Sequence, residues 1–351
     1  MKRKDYKKRN KSSGKRLAVK VVLLLTLSLF IVVAAYAASL QKKAENMAVS
    51  AYEAVPDRPK SEIREVKVEP ANDNVSILFI GVDDSEARSQ GDSNSRSDAL
   101  LLATLNPASK SVKLVSIPRD SYAYIPEVGY RDKITHAHAF GGTRATIETV
   151  EELFEIPVDY YVRMNFNAFI DVVDAIDGID VEVPYNRTEK DENDKYTIHL
   201  KKGLQHLDGK HALALARTRK LDTDVERGKR QQMILQAIMK EAASVKSITK
   251  YGDVIEAVGE NMKTDMTFDE MKSFLEYVKG GMPQVDTLSL KGYDDMSTGI
   301  YYWKLDETYL AEVKNILQAH LGLIPDSSSL TDSGSTITGS TEEALEDSFN
   351  E

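Results

Sequence analysis

The stretch Ser76–Asp120 reads SILFIGVDDSEARSQGDSNSRSDALLLATLNPASKSVKLVSIPRD. It contains three apolar runs, which are Ser76–Val82, Ala99–Leu105 and Val112–Ile117, separated by polar segments. Runs of this length, with a proline-containing turn between the last two, predict one strand followed by a β-hairpin. The rest of the chain is organised around this three-stranded element.

Charged side chains lie at the ends of these three strands. Asp83 follows the first strand, Arg96 and Asp98 precede the second, and Arg119 follows the third. If the strands share one sheet, these carboxylates and guanidiniums collect near one edge. Such a mixture of charges suits a metal ion together with a phosphate-bearing ligand.

The N-terminus has the pattern of a membrane anchor. Residues 1–20 carry ten Lys or Arg and one acidic residue, and residues 21–40 carry no charge. Twenty residues at 1.5 Å each give a helix of about 30 Å, which is the thickness of one hydrocarbon core. The positive-inside rule then predicts a single-pass type II protein in the cell membrane, with an extracellular domain. The alternative is a cleaved signal peptide, because Ala35-Tyr36-Ala37 resembles a cleavage site, but the full-length span favours the uncleaved anchor.

Composition excludes several classes of function. Without residues 1–20 the chain has 36 basic and 54 acidic residues, a net charge of −18. Such an acidic domain would repel a phosphate backbone, so nucleic-acid binding is not expected. The absence of cysteine excludes disulfides, thiolate catalysis and the usual zinc sites.

The sequence divides into a linker, a large domain and a tail. Residues 41–74 are charged without a sustained apolar period, which predicts a linker that is helical at its start. Residues 75–325 form the predicted domain, and residues 326–351, rich in Ser, Thr, Gly and acids, predict a disordered tail.

Within the domain, strands alternate with helices, which predicts an α/β fold with helices on both faces of a sheet. Further strands are predicted at Asp159–Arg163, Ile179–Val183 and Thr287–Leu290, whereas the tyrosine-rich Ser121–Tyr130 is interpreted as a loop. Helices are predicted at Thr143–Phe154, Asn165–Ile176, Asp208–Ala216, Val225–Val245, Ile248–Gly259, Phe268–Val278 and Glu307–His320.

A second charged cluster lies between two of these helices. Arg217 and Arg219 follow an apolar helix, and Asp224 and Arg227 share a face of the next helix with Gln231 one turn further on. Alone, this pattern is typical of a solvated helix–loop–helix. Its similarity to the first cluster favours a shared site instead.

Arginines and carboxylates in one site point to phosphate chemistry. The guanidinium fork binds two phosphate oxygens at once, and carboxylates are ligands for Mg²⁺. Together they form an electrostatic clamp of the kind that serves phosphoryl transfer. The sequence has no P-loop, no G-x-S-x-G and no H-E-x-x-H motif.

Two other features keep two interpretations each. His136 and His138 are candidate metal ligands, but structural or surface roles are favoured for them. Apolar residues around the second cluster either form core or line a slot for a lipid tail, and they are Leu213, Leu215, Met233, Ile234, Leu235 and Ile238.

With these residues in place, the chain resembles the LytR-CpsA-Psr family of cell-envelope proteins, and particularly the wall-teichoic-acid transferases of Gram-positive bacteria. The stretches that carry the resemblance are FIGVDD (Phe79–Asp84), SRSDALLLATLNP (Ser95–Pro107), SIPRDSY (Ser116–Tyr122), KITHAHAFGG (Lys133–Gly142), NFNAFIDVVDAIDGIDVEVP (Asn165–Pro184), GLQHLDGKHALALARTRK (Gly203–Lys220) and DVERGKRQQ (Asp224–Gln232).

The resemblance implies an α/β/α sandwich with a mixed central sheet and a pocket for a polyprenyl diphosphate. It implies a transferase that moves a glycopolymer from this lipid to peptidoglycan and releases polyprenyl phosphate. A hydrolase of the same diphosphate and a non-catalytic envelope regulator or lipid binder are the alternatives. Asp83, or its neighbour Asp84, and Asp98 would hold Mg²⁺. The residues implied around the diphosphate are Arg96, Arg119, Arg217, Arg219 and Arg227, with Asp224 and Gln231 completing the site.

Overall fold

The computed structural model describes residues 36, 38–39, 41–82, 95–191, 195–218, 224–244, 262–278 and 283–325. Asp83, Asp84, Arg219, the predicted helix Ile248–Gly259 and the predicted tail lie outside the described residues, as do residues 1–35. Within the described residues, no helix combines the length and the apolar character that crossing a membrane requires.

The described strands are β1 (Val75–Val82), β2 (Ser97–Asn106), β3 (Ser111–Ser116), β4 (Tyr122–Ile125), β5 (Tyr130–Lys133), β6 (Tyr160–Met164), β7 (Ile179–Val183), β8 (Arg187–Lys190), β9 (Tyr196–Leu200), β10 (Gly203–Leu207), β11 (Met262–Thr264), β12 (Gln284–Ser289), β13 (Gly292–Asp295) and β14 (Tyr302–Leu305). The described helices are α1 (residues 41–51), α2 (His136–Phe154), α3 (Phe166–Ala175), α4 (Gly209–Arg217), α5 (Asp224–Ser244), α6 (Phe268–Val278) and α7 (Glu307–His320).

The central sheet has six strands in the order β11-β6-β1-β2-β3-β12. Strand β2 runs antiparallel to both β1 and β3, so the predicted strand and hairpin form the middle of the sheet. Strand β6 pairs with β1 in parallel, and β12 pairs with β3 in parallel. The sheet is therefore mixed, as the resemblance implied.

Alternation along the central strands supplies one apolar face to each side of the sheet. In β1, Leu78 and Ile80 pack with α2 and α7 residues such as Phe154 and Leu317. On the opposite face, Ile77 belongs to a separate core that includes α5 and α6 side chains. Helices thus cover both faces, and the α/β/α sandwich is confirmed.

A third core joins α3, α4 and part of α5 to the short strands β7, β9 and β10. Asn165 caps the start of α3, because its Oδ1 atom accepts a hydrogen bond of 2.9 Å from the Ala168 N–H. Helix α4 begins at Gly209, where an added Cβ would lie only 2.3 Å from the Ile170 carbonyl oxygen. The two helices approach so closely at this point that only glycine fits.

Residues 52–74, which belong to the predicted linker, are folded against the domain. Arg58 donates to Glu151 at 2.7 Å, and Arg64 pairs with Asp159 at 2.8 Å. Val55 and Val68 are buried in two of the cores. The absence of an apolar period in the sequence reflects a segment that is held by ion pairs and isolated apolar contacts.

The interpretation of Ser121–Tyr130 as a loop is wrong, because it contains β4 and the start of β5. These two strands pair antiparallel from Tyr122↔Lys133 to Ile125↔Tyr130. Four-residue strands are too short to produce a clear alternating pattern, and the tyrosines obscured it. The segment is therefore ordered by hairpin pairing.

Candidate active site

A cavity of about 720 Å³ lies between one face of the central sheet and helices α3, α4 and α5. Its floor comes from three adjacent strands. The register pairs Gly81 with Ala99 and with Met164, and pairs Phe79 with Leu101, so these side chains point to the same face. Volumes of this size are typical of sites for small molecules and cofactors.

The floor of the cavity carries small residues where the two central strands pair. A Cβ at Gly81 would lie 3.1 Å from the Ala99 Cβ atom. Because neither residue has a bulky side chain, space remains above the sheet at the carboxyl end of β1. This is the end of the strand that the sequence predicted to carry the site.

An ion pair lies at one end of the cavity, where β2 begins and β3 has ended. Arg119 Nη1 donates to Asp98 Oδ1 at 2.5 Å, and both side chains line the cavity. The exposed fractions of the two side chains are 21% and 30%. The pair extends outward, since Asp120 lies 3.5 Å from Arg119 Nε and 2.9 Å from Lys133 Nζ. We call this charged end of the cavity, with the residues of α4 and α5 described next, the mouth.

Helices α4 and α5 bring the second predicted cluster to the same cavity. The Arg217 guanidinium lies 4.3 Å from the centre of the Phe166 ring and donates to the Asp191 carbonyl oxygen at 3.0 Å. Arg227 is 5% exposed, and Gln231 lies one turn further along α5. All three lining residues of this cluster therefore share one cavity with Asp98 and Arg119, as the sequence predicted.

The deeper walls of the cavity are apolar. Leu213 of α4 and three residues of α5, Ile234, Leu235 and Ile238, line it. Other apolar residues of the same helices, Leu215 and Met233, pack in the core instead. Ile234 and Ile238 belong to the core and also line the cavity, so part of this apolar set forms a wall of the cavity.

Sequence reasoning missed the contribution of the β8–β9 hairpin. Glu189, Lys190 and Tyr196 from this hairpin line the cavity. Glu189 is 7% exposed and lies 2.8 Å from Arg187 Nε. Neither strand has more than five residues, and no motif marked them as part of the site.

The remaining predicted residues lie as follows. Arg96 immediately precedes β2, is exposed, and is not one of the cavity-lining residues. Asp224 is the first residue of α5. His138 is buried with Nδ1 2.8 Å from the Ser95 carbonyl oxygen, and His136 Nδ1 lies 2.8 Å from Asp132 Oδ2. These contacts agree with the structural roles favoured for both histidines.

The fit of the site to Mg²⁺ depends on its carboxylates. In the part of the chain that the structure describes, no group of three or more His, Asp or Glu is placed to hold a metal ion. Asp98 is half-buried at the mouth, and Asp83 follows the last described residue of β1. Because Mg²⁺ commonly takes one or two protein carboxylates plus phosphate oxygens and water, a mouth with Asp98 fits this ion.

Known proteins are similar to this chain over most of its length. The sequence profile of the LytR_cpsA_psr family matches residues 38–319. The chain is similar to the polyisoprenyl-teichoic acid–peptidoglycan teichoic acid transferase TagT of Bacillus subtilis (strain 168), with 39% identity over 309 residues, which cover 87% of this chain and 95% of the relative.

Two solved structures are similar over the folded domain. One is TagT bound to LIIa-WTA, with a TM-score of 0.67 and 38% identity, covering 77% of this chain and 99% of that chain. The other is the LytR-CPS2A-psr family protein YwtF (TagT) with bound octaprenyl pyrophosphate lipid, with a TM-score of 0.63 and 35% identity over the same shares of the two chains.

Proposed function

Because the chain belongs to the LytR-CpsA-Psr family, we propose that it transfers a glycopolymer of the teichoic-acid type from a polyprenyl diphosphate to muramic acid hydroxyls of peptidoglycan, with release of polyprenyl phosphate. The observation that carries this proposal is a single cavity with a cationic mouth and an apolar interior. A prenyl diphosphate has the same division, with two phosphates at one end and a long hydrocarbon at the other.

The mouth supplies the contacts that a diphosphate needs. Arg119, Arg217 and Arg227 line the same cavity, and a dianionic ligand between them would relieve their mutual repulsion. Asp98 holds the Arg119 guanidinium in place through its 2.5 Å contact. Gln231 adds an amide that can donate to a phosphate oxygen.

The interior supplies the contacts that a prenyl chain needs. Burying each CH₂ group of the chain against Leu213, Ile234, Leu235 and Ile238 stabilises the complex by about 0.8 kcal/mol. The similar protein YwtF (TagT) was solved with an octaprenyl pyrophosphate lipid. We assign the same class of ligand to this cavity, with the phosphates at the mouth.

The reaction is a displacement at phosphorus. A muramic acid hydroxyl oxygen forms a bond to the phosphorus nearest the polymer, and the bond from this phosphorus to the bridging oxygen breaks. The electron pair leaves with the bridging oxygen, so polyprenyl phosphate is the leaving group. Arginines at the mouth stabilise the charge that develops on it. The described carboxylates lining the cavity, Asp98 and Glu189, are the candidates to accept the hydroxyl proton.

We further propose Mg²⁺ as the cofactor, held by Asp98 and Asp83 together with phosphate oxygens. When bound, the ion would neutralise part of the charge on the diphosphate. Residues 21–40 would anchor the enzyme in the cell membrane as a single-pass type II protein, with the cavity on the extracellular side. This location would bring the cavity to the compartment where lipid-linked polymer and peptidoglycan meet.

The proposal is tested by incubating the full-length protein in detergent with a lipid-linked teichoic acid precursor and Mg²⁺, with and without peptidoglycan strands. We expect polymer on the strands and release of polyprenyl phosphate that depends on the strands, and both products should decrease when EDTA removes the metal. Equal release without strands would identify a hydrolase. Binding of the lipid without release in either reaction would identify a non-catalytic binder.

A further inference from the structure

The two hairpins beyond the mouth form one aromatic surface. Strand β14 adjoins β4, because the Trp303 N–H donates to the Asp120 carbonyl oxygen at 2.9 Å and Ser121 and Trp303 form a bridge. The hairpins β4–β5 and β13–β14 are therefore neighbours. The aromatic surface consists of the rings on their outer side and in the loop between β13 and β14, which are Tyr122, Tyr124, Tyr293 and Tyr301. The Tyr302 ring is buried and packs against Tyr122.

Backbone register places these rings together. Tyr122 and Tyr124 alternate with the buried Ala123 and Ile125, so they point away from the core. The centroids of the Tyr122 and Tyr302 rings are 4.8 Å apart. Tyr124 is 37% exposed and Tyr293 is 62% exposed, so both rings are accessible to a ligand.

Cations lie against these rings in an otherwise acidic protein. Lys304 Nζ is 3.3 Å from the centre of the Tyr122 ring, and Lys133 Nζ is 5.6 Å from the centre of the Tyr301 ring. Register also places Arg131 opposite Tyr124, where its side chain is exposed. The surface thus combines flat ring faces with charges of both signs, because Asp295 lies 3.7 Å from Lys304 Nζ and the Tyr301 hydroxyl donates to Asp294 at 2.8 Å.

The aromatic surface is continuous with the mouth of the cavity. Lys133, which lies over Tyr301 and Tyr302, contacts Asp120 at 2.9 Å. Asp120 in turn lies 3.5 Å from Arg119, whose guanidinium lines the cavity. A long ligand on the aromatic surface would therefore end next to the position proposed for the diphosphate.

From this continuity we infer that the aromatic surface of hairpins β4–β5 and β13–β14 binds the acceptor, a peptidoglycan glycan strand. The inference rests on the proposed function, and it assigns a place to the second substrate. Sugar rings present C–H faces that pack on the faces of tyrosine rings. The tyrosine hydroxyls at the ring edges can then hydrogen-bond to the sugar hydroxyls. Carboxylates of the short peptides on the strand would pair with Arg131, whose side chain is exposed.

The surface is tested with the double variant Tyr124→Ala/Tyr293→Ala of the full-length protein. Both rings are exposed, so folding should be retained, and thermal unfolding checks this. We expect affinity for soluble uncrosslinked peptidoglycan strands, measured by calorimetry, to fall about tenfold, because two ring contacts are lost. In transfer assays the KM for the strands should rise by about the same factor, while kcat and the KM for the lipid substrate stay unchanged.

Two control variants make this test specific. Tyr124→Phe/Tyr293→Phe keeps both rings and should bind strands like the wild type. Tyr52→Ala removes a tyrosine that is 46% exposed and lies beside β11, and it should also have no effect. The inference is overturned if the double alanine variant binds strands within about twofold of the wild type. If the wild type binds strands at the tyrosines but never transfers polymer to them, the proposed function fails while the surface assignment stands.

Discussion

Replacement of Arg119 by alanine would separate the catalytic role of the mouth from its structural role. In the wild type, Arg119 Nη1 contacts Asp98 Oδ1 at 2.5 Å, and its side chain is 21% exposed. Loss of a buried ion-pair partner costs about 3–5 kcal/mol and loss of an exposed one about 0–1 kcal/mol. For this half-buried pair we expect a loss of about 1–2 kcal/mol in the free energy of unfolding, which lowers Tm by about 5 °C.

The expected loss of activity is much larger. Removal of one donor that stabilises developing charge typically lowers the rate by about 10²- to 10³-fold. Arg119→Ala should therefore lower kcat/KM for polymer transfer by at least about a hundredfold, and Arg119→Lys should fall between it and the wild type because it keeps the charge without the fork. The assay measures labelled polymer on peptidoglycan strands at saturating Mg²⁺.

Arg144→Ala is the matched control for this substitution. Arg144 lies on α2, its side chain is 42% exposed, and it pairs with Glu127 at 2.8 Å. The substitution Arg144→Ala removes the same charge as Arg119→Ala, but at a position that does not line the cavity, so the rate of transfer should be unaffected. The assignment of Arg119 would be refuted if Arg119→Ala folded normally and kept about half or more of the wild-type kcat/KM.

Two further perturbations test the cavity interior and a buried histidine. Ile238→Gln should lower the affinity for polyprenyl diphosphate about tenfold, because it puts an amide against the prenyl chain, while the affinity for inorganic pyrophosphate should not change. Lys240→Gln, at an exposed position on the same helix, is the control. An equal loss of affinity for both ligands in Ile238→Gln would contradict the assignment. For His320, burial and the nearby Lys113 lower the pKa to about 4. Because the folded state holds this imidazole neutral, stability present above pH 6.5 should decrease as pH falls, by about 2 kcal/mol at pH 5.

The His320 prediction is measured as the difference between the wild type and His320→Gln in urea unfolding from pH 7 to 5. The difference is needed because burial raises the pKa of Asp265 to about 6. Protonation of Asp265 therefore stabilises the folded state as pH falls through part of the same range. His320→Gln can still contact Thr104, which lies 2.7 Å from the imidazole Nδ1. Parallel pH profiles for the two proteins would show that His320 does not contribute.

Prediction from the sequence succeeded where the pattern was long or chemically specific. The apolar strand β1 and the helix α3 were placed almost to the residue. Arg119, Arg217 and Arg227 were predicted to converge, and they line one cavity although 108 positions separate the first from the last in the chain. The convergence could be predicted because these arginines lie at the ends of predicted strands and helices. In an α/β fold such ends meet at one edge of the sheet.

Prediction failed where elements were short or interrupted. Helix α2 begins at His136, but the sequence predicted its start at Thr143, because Gly141 and Gly142 have non-helical backbone angles and form a kink that resembled a helix boundary. Glu189 and Tyr196 came to the cavity on a hairpin whose strands have four and five residues. No periodic signal can arise over so few residues, and their role depends on tertiary packing alone.

Helix α5 carries contacts for both ends of the proposed ligand. Arg227 and Gln231 lie at the mouth, and Ile234, Leu235 and Ile238 follow within about three turns. The position of the boundary between the charged and the apolar part of the cavity is therefore set by the spacing of residues along this one helix. One extra residue between Gln231 and Ile234 would rotate everything downstream by about 100° and turn the hydrocarbon wall away from the arginines. We expect lineages of this protein to accept exchanges of side chains here far more readily than any change in the spacing between them.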